Sequence, residues 1–179
     1  GMVSPRSRIA WLSTASSASD IPLLTVSADN CRIEGIQIYS GINDANLSFC
    51  TKITGSRNTF KNCHFAGIGH DTNDATGAYS LCLSGGTENL FEDCVIGIDT
   101  VARGTAANSE ILFDASGSAD CNARNIFRNC LILTYAEANT HQFIIREESG
   151  SDRFNLFDNC TFINSVPGTG MTEALDITA

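Results

Sequence analysis

Large apolar residues recur along this chain inside an eight-residue unit. The five copies are Cys31 to Ile38, Asn58 to Phe65, Asn89 to Ile96, Asn125 to Ile132 and Asn155 to Phe162. The four later copies share one pattern: Asn, any residue, Phe, any residue, Asn or Asp, Cys, any residue, then Phe or Ile. The first carries Ile33 and Ile36 in the Phe and Cys places. From the Phe to the Cys is three steps, and from the Cys to the last apolar residue two. Strands alternate with period two, so the three-step interval breaks the alternation and the chain turns a corner there. The corner position holds Gly35, Asn62, Asp93, Asn129 and Asn159, the residue types that best tolerate the left-handed backbone region. The anchors Ile33, Phe60, Phe91, Phe127 and Phe157 lie 27, 31, 36 and 30 residues apart. A fixed core unit with a drifting period is the signature of a solenoid whose loops vary in length.

Upstream of each later unit a second apolar run ends in small residues. Leu47 to Ile53 meets Thr54-Gly55-Ser56, Tyr79 to Leu83 meets Ser84-Gly85-Gly86, Ile111 to Phe113 meets Ser116-Gly117-Ser118, and Phe143 to Ile145 meets Ser149-Gly150-Ser151. Glycine is expected to supply positive φ in those turns. No segment of useful length repeats apolar residues at i, i+3, i+4 and i+7, so helices do not connect the strands. The expected fold is all-β, a single-stranded right-handed parallel β-helix of about five to six coils with few or no helices, each coil adding about 4.8 Å. Residues 1–8 read as a tag remnant and flexible N-terminus. Residues 9–179 read as one β-helix domain excerpted from a longer solenoid, because neither end shows a cap.

Stacking the units makes columns. Cys63, Cys94, Cys130 and Cys160 point inward beneath Ile36, and a place that accepts Ile is a small apolar core site. Their spacing and parallel vectors predict free thiols. Asn58, Asn89, Asn125 and Asn155 are expected to hydrogen-bond from coil to coil, as are the corner residues. Phe60, Phe91, Phe127 and Phe157 form an interior aromatic stack.

These Asn-x-Phe-x-Asn-Cys-x-Phe units resemble the coils of the pectin-lyase-like superfamily, and within it bacteriophage tailspike or virion domains and polysaccharide-active domains. The resemblance runs from about Ile21 to Ile177 and rests on coil-building residues, so it implies the fold and leaves the activity open. Polygalacturonase-like hydrolases carry Asn-Thr-Asp, Asp-Asp, Gly-His-Gly and Arg-Ile-Lys motifs; here Gly69-His70-Asp71 is the nearest approach, and no family catalytic residue transfers.

Charge narrows the partners. With 20 acidic and 11 basic side chains the net charge is −9, which repels phosphate backbones and argues against nucleic acid. No apolar run approaches the roughly 18 residues that cross a bilayer, so no membrane partner is expected.

Chemistry should sit where coils differ, in the loops Gly41 to Asn46, Gly69 to Ala78, Asp99 to Ser109, Tyr135 to Thr140 and Ser165 to Thr172, which leave each coil on one side. The catalytic candidates are Asp71 and Asp74 as a glycosidase-like carboxylate pair, with His70, Asp99 and Arg103 as helpers. Tyr135, Glu137, Asn139, His141 and Arg103 are the glycan-binding candidates, since aromatic faces and planar polar groups bind sugars. No cofactor or metal is expected, calcium entering only for a lyase. The favoured function is a structural or adhesive domain of a virion or extracellular surface, homotrimeric and offering its loop face to polysaccharide. The alternative is a lyase or hydrolase of acidic polysaccharides.

Overall fold

A computed structural model describes residues 7–11, 21–41, 43–44, 49–105, 108–114, 122–137, 142–147, 154–166, 170–171 and 173–177, with the backbone alone over 142–147 and 176–177. The strands are β1 Ser7–Ala10, β2 Leu24–Val26, β3 Arg32–Glu34, β4 Ile36–Ser40, β5 Phe49–Ile53, β6 Thr59–Lys61, β7 His64–Ile68, β8 Tyr79–Leu83 and β9 Leu90–Glu92. They continue as β10 Val95–Ile96, β11 Asn108–Phe113, β12 Ile126–Arg128, β13 Leu131–Thr134, β14 Gln142–Glu147, β15 Leu156–Asp158, β16 Thr161–Asn164 and β17 Leu175–Ile177. Every third strand joins the same sheet. The first sheet is β1-β4-β7-β10-β13-β16, the second β2-β5-β8-β11-β14-β17 and the third β3-β6-β9-β12-β15, and their pairings are parallel. The chain is a parallel β-helix, all-β, with one short 3-10 turn at Asp71–Asn73 among the described residues.

Register follows the repeat. Phe60 pairs with Ile33 and Phe91, and Phe127 with Phe91 and Phe157. The rings stack at 4.9, 4.6 and 4.6 Å with planes within 9° of parallel. Phe65, Phe113 and Phe162 meet this stack edge-on, and each such ring contact adds about 1 kcal/mol beyond burial. The corner works as read: Gly35, Asn62, Asp93, Asn129 and Asn159 all have φ between 50° and 70°.

The thiols of the Cys column are free, and each lies 3.3–3.5 Å from the anchor carbonyl of the coil before: Cys63 from Ile33, Cys94 from Phe60, Cys130 from Phe91 and Cys160 from Phe127. The column is thus a row of weak S–H donors as well as apolar filler. Hydrogen bonding with Cys130 and Cys63, and then burial, holds Cys94 as a thiol. Burial alone pushes the interior Cys50 up to about 11. Cys121 lies outside the described residues.

The Asn column is a ladder. The Oδ1 atoms of Asn58, Asn89, Asn125 and Asn155 accept from the backbone N–H of Cys31, Asn58, Asn89 and Asn125 at 2.8–3.1 Å. Their Nδ2 atoms donate to turn carbonyls of the preceding coil, Ala28, Gly55, Gly86 and Asn122. Buried polar groups thereby satisfy one another along the axis.

Three expectations need correction. Ser7 and Arg8, assigned to the flexible N-terminus, are the first half of β1, because Arg8 pairs with Gln37. Asn108 and Ser109, assigned to a loop, open β11. Among the described residues the turn glycines are not the general source of positive φ; Gly117 and Gly150 lie outside those residues. That role falls to the residue before each ladder position, Asn30, Arg57, Glu88 and Arg124, with φ from 57° to 59°, while Gly85 alone among Gly55, Gly85 and Gly86 has positive φ. Gly55 is there because a Cβ would lie 2.1 Å from the Ala28 carbonyl oxygen.

Outside the third sheet the residue after each anchor alternates in charge through the register, Glu34, Lys61, Glu92, Arg128 and Asp158. Lys61 reaches Glu92 at 2.6 Å and Arg128 reaches Asp158 at 3.2 Å. Such exposed pairs add a few tenths of a kcal/mol each. They also favour this order of coils, since skipping one would set like charges opposite, Glu34 against Glu92 or Lys61 against Arg128.

Candidate functional site

Three carboxylates were the sequence candidates for chemistry, and the fold gives them different environments. Asp71 is exposed at the start of the 3-10 turn, which His70 caps by accepting the Thr72 N–H at 3.1 Å. Asp74 ends the turn as an anchor. One oxygen accepts from the backbone N–H groups of Gly104 and Thr105 at 2.7 and 2.9 Å, and the other from the Asn108 amide. Asp99 is exposed in the turn after β10. The proposed Asp71 and Asp74 pair therefore splits into one solvent-facing carboxylate and one that ties its loop to the next coil.

Arg103 differs most from the expectation of a loop cation. Its side chain is 1% exposed and its Nη2 lies 3.1 Å from Glu110 Oε2, itself fully buried, and 3.0 Å from Ser80 Oγ; its Nη1 donates to the Ser109 carbonyl at 3.2 Å. Burial pushes the Glu110 carboxyl above its ordinary range, against the pull of Arg103. This pair is an interior strut. What Arg103 offers the loop side is backbone: its N–H donates to Tyr135 O at 2.8 Å and its carbonyl accepts from Glu137 N–H at 3.0 Å.

That bridge sets Tyr135 and Glu137 on the loop side beside the Val101–Thr105 segment, with Tyr135 half-exposed and Glu137 exposed. The Glu137 charge, and then its acceptance of the phenol hydrogen bond, raises Tyr135 above its usual value. Asn139 and His141 lie outside the described residues.

The structure adds two grooves that spacing alone did not mark. A groove of about 350 Å³ lies on the second sheet, floored by the Phe49 and Tyr79 rings stacked at 4.7 Å, and a second of about 210 Å³ lies outside the first sheet. The latter is lined by Arg8, Gln37, Tyr39, His64, Asp99 and Thr100 among others. Tyr39 lies against two loop glycines, since a Cβ on Gly41 or Gly69 would sit 2.1 or 2.5 Å from its ring, and its hydroxyl donates to Gly69 O at 3.1 Å. The Arg8 guanidinium lies 4.9 Å over the same ring.

Across the groove floor runs a string of hydrogen bonds. Arg8 Nε donates to Gln37 Oε1 at 2.7 Å, Gln37 Nε2 contacts His64 Nδ1 at 2.9 Å, and His64 Nε2 contacts Gly97 O at 3.0 Å. Arg8, Gln37 and His64 occupy one outward row of β1, β4 and β7 through the pairs Arg8 with Gln37 and Gln37 with His64. The signal was present in the sequence: the residue after each Cys-column position points outward, and in the first two units it is Gln37 and His64.

An aromatic ring, a guanidinium, a carboxamide, an imidazole and an exposed carboxylate converge beside the turn that carries Asp99 and Thr100. Among the described residues no group of three or more His, Cys, Asp or Glu side chains is placed to hold a metal ion. Comparison with protein-family models, with curated proteins and with solved structures finds no match for the chain.

Proposed function

We propose that the chain is a structural or adhesive β-helix segment of a virion or cell-surface protein, and that it binds glycans along its loop-side margin. The observation that carries this reading is the first-sheet groove, in which Tyr39 and Arg8 stand beside the exposed Asp99 and Thr100 and combine an aromatic ring with planar and charged hydrogen-bonding groups. Tyr135 and Glu137 extend the same polar margin one coil further on. The engagement of Asp74 with the next loop and of Arg103 with Glu110 supports binding over turnover, because both groups are occupied in holding the scaffold. The coil architecture also supports the resemblance to the pectin-lyase-like superfamily, with right-handed winding as that resemblance implies.

A glycan array at neutral pH, followed by calorimetry on each hit, tests this. Binding is expected, with at least a tenfold loss on Asp99→Ala and Thr100→Ala; both residues are exposed and their truncation leaves the fold intact. No retained glycan, or hits indifferent to both changes, overturns it. Release of reducing or unsaturated ends from the same glycans, lost on Asp71→Asn, would instead establish an enzyme.

A further inference from the structure

The donor and acceptor pattern of the groove string admits one protonation state. The guanidinium Nε–H at one end is only a donor, and the Gly97 carbonyl at the other is only an acceptor. Gln37 must therefore turn its oxygen to Arg8 and its NH₂ to His64, so Nδ1 of His64 accepts and Nε2–H donates to Gly97. The string closes only around a neutral imidazole with its proton on Nε2.

We propose that this string is a proton-sensitive clasp, holding β1 on the first sheet while His64 is neutral and releasing it when the imidazole takes up a proton. A second ring proton would place Nδ1–H against the Gln37 NH₂. Rotating the amide does not rescue the string, because it would turn the NH₂ toward the Arg8 Nε–H. Keeping the amide in place breaks the bond between Gln37 and His64 and retains the one to Arg8. Rotating it lets the oxygen accept from the imidazolium and gives up the side-chain tie between β1 and β4, and rotation is favoured because the exposed Arg8 finds water where the half-buried imidazole does not.

Among the described residues, the charged and titratable groups that line the groove with the imidazole are Arg8 from β1, Tyr39 from β4 and Asp99 from the turn after β10; β10 and β13 contribute Val95 and Leu133. Arg8 disfavours a second cation there and Asp99 favours one; the hydrogen bonds close only around the neutral ring. Stability from the clasp is therefore fully present above the ordinary imidazole range, near pH 6.5, and is lost as pH falls below it. The clasp does not depend on what the groove binds.

Nuclear magnetic resonance on the full chain tests it. Long-range proton–nitrogen spectra at pH 8 should show His64 protonated at Nε2 alone. Between pH 7.5 and 5, protection factors of the β1 amides, referred to those of β13, should fall about tenfold, the weight of one hydrogen bond. The discriminating variant is Gln37→Glu, whose carboxylate accepts from Arg8 and from imidazolium alike. Its β1 protection should stay level between pH 7.5 and 5, because the carboxylate holds Arg8 whichever state the imidazole is in. His64→Val, matching Val95 in the same row, should abolish the pH dependence. A proton on Nδ1 at pH 8, β1 protection that is flat with pH in the wild type, or the same direction of change in Gln37→Glu, overturns the clasp.

Discussion

Asn89 sits in the middle of the ladder, and its replacement separates a structural ladder from mere filling of space. Its Oδ1 accepts the Asn58 N–H at 2.9 Å, and its Nδ2 donates to Gly55 O and to Asn125 Oδ1, each at 3.1 Å. Asn89→Ala strands a buried amide N–H and deprives a buried carbonyl of its donor. An orphaned buried donor costs about 1–3 kcal/mol and a lost bond about 1, so the expected total is about 3 kcal/mol. With a urea slope of about 2 kcal/mol/M, the midpoint should drop by about 1.5 M. Asn155→Ala, at the half-buried last rung, should cost about 1 kcal/mol because water replaces the amide. The sharper variant is Asn89→Asp, which has the same shape. One carboxylate oxygen keeps the Asn58 N–H, but the other faces the Gly55 and Asn125 oxygens as a buried negative charge. That variant should be less stable than Asn89→Ala at pH 7. The introduced carboxyl holds its proton more tightly in the fold than in the unfolded chain, so stability relative to wild type improves as pH falls from 7 toward 4. Urea titrations at pH 7 and 4.5 read both effects. Equal costs at Asn89 and Asn155, or an Asp variant whose deficit ignores pH, refute the ladder as a source of stability.

Further outcomes follow from a buried ion pair and two glycines of the scaffold. Arg103→Met should destabilise by about 3–5 kcal/mol by stranding the Glu110 charge, and adding Glu110→Leu should recover most of the loss in a thermal melt; since burial raises the Glu110 carboxyl, wild type should also gain stability over Glu110→Gln as pH falls from 7 toward 4.5. Gly35→Asn should be neutral or stabilising by up to about 1 kcal/mol, because the other coils carry Asn or Asp there and a Cβ meets nothing within 4 Å, whereas Gly55→Ala should lower the melting temperature by driving a Cβ into the Ala28 carbonyl.

The fold was legible because the coil unit states its own geometry. A three-step interval between inward residues with Gly, Asn or Asp inside it demands a left-handed corner, and Asn62, Asp93, Asn129 and Asn159 adopt it. The second bend was not legible. Arg57, Glu88 and Arg124 have no intrinsic leaning to positive φ; they are held there by tertiary contacts, as when Arg57 N–H donates to Thr87 O and Glu88 N–H to Ala123 O in the coils above. The alternating charges of Glu34, Lys61, Glu92, Arg128 and Asp158 were legible but stood in a place where the repeat admits any residue, and only the register turns them into pairs.

The candidate site was harder for a reason of the same kind. In a solenoid the neighbours of a side chain lie about thirty residues away, so a local motif does not reveal whether its groups are free. Asp71 and Asp74 look alike in sequence; Gly104, Thr105 and Asn108 of the next coil make one an anchor and leave the other in water. Arg103 looks like a loop cation until Glu110 and Ser80 enclose it. Arg8, Gln37 and His64 show the converse. Each is unremarkable in its own segment, and they form one string only because three successive coils bring the same outward row into register. Positions read singly identify the columns of a β-helix, whereas its chemistry is written across them.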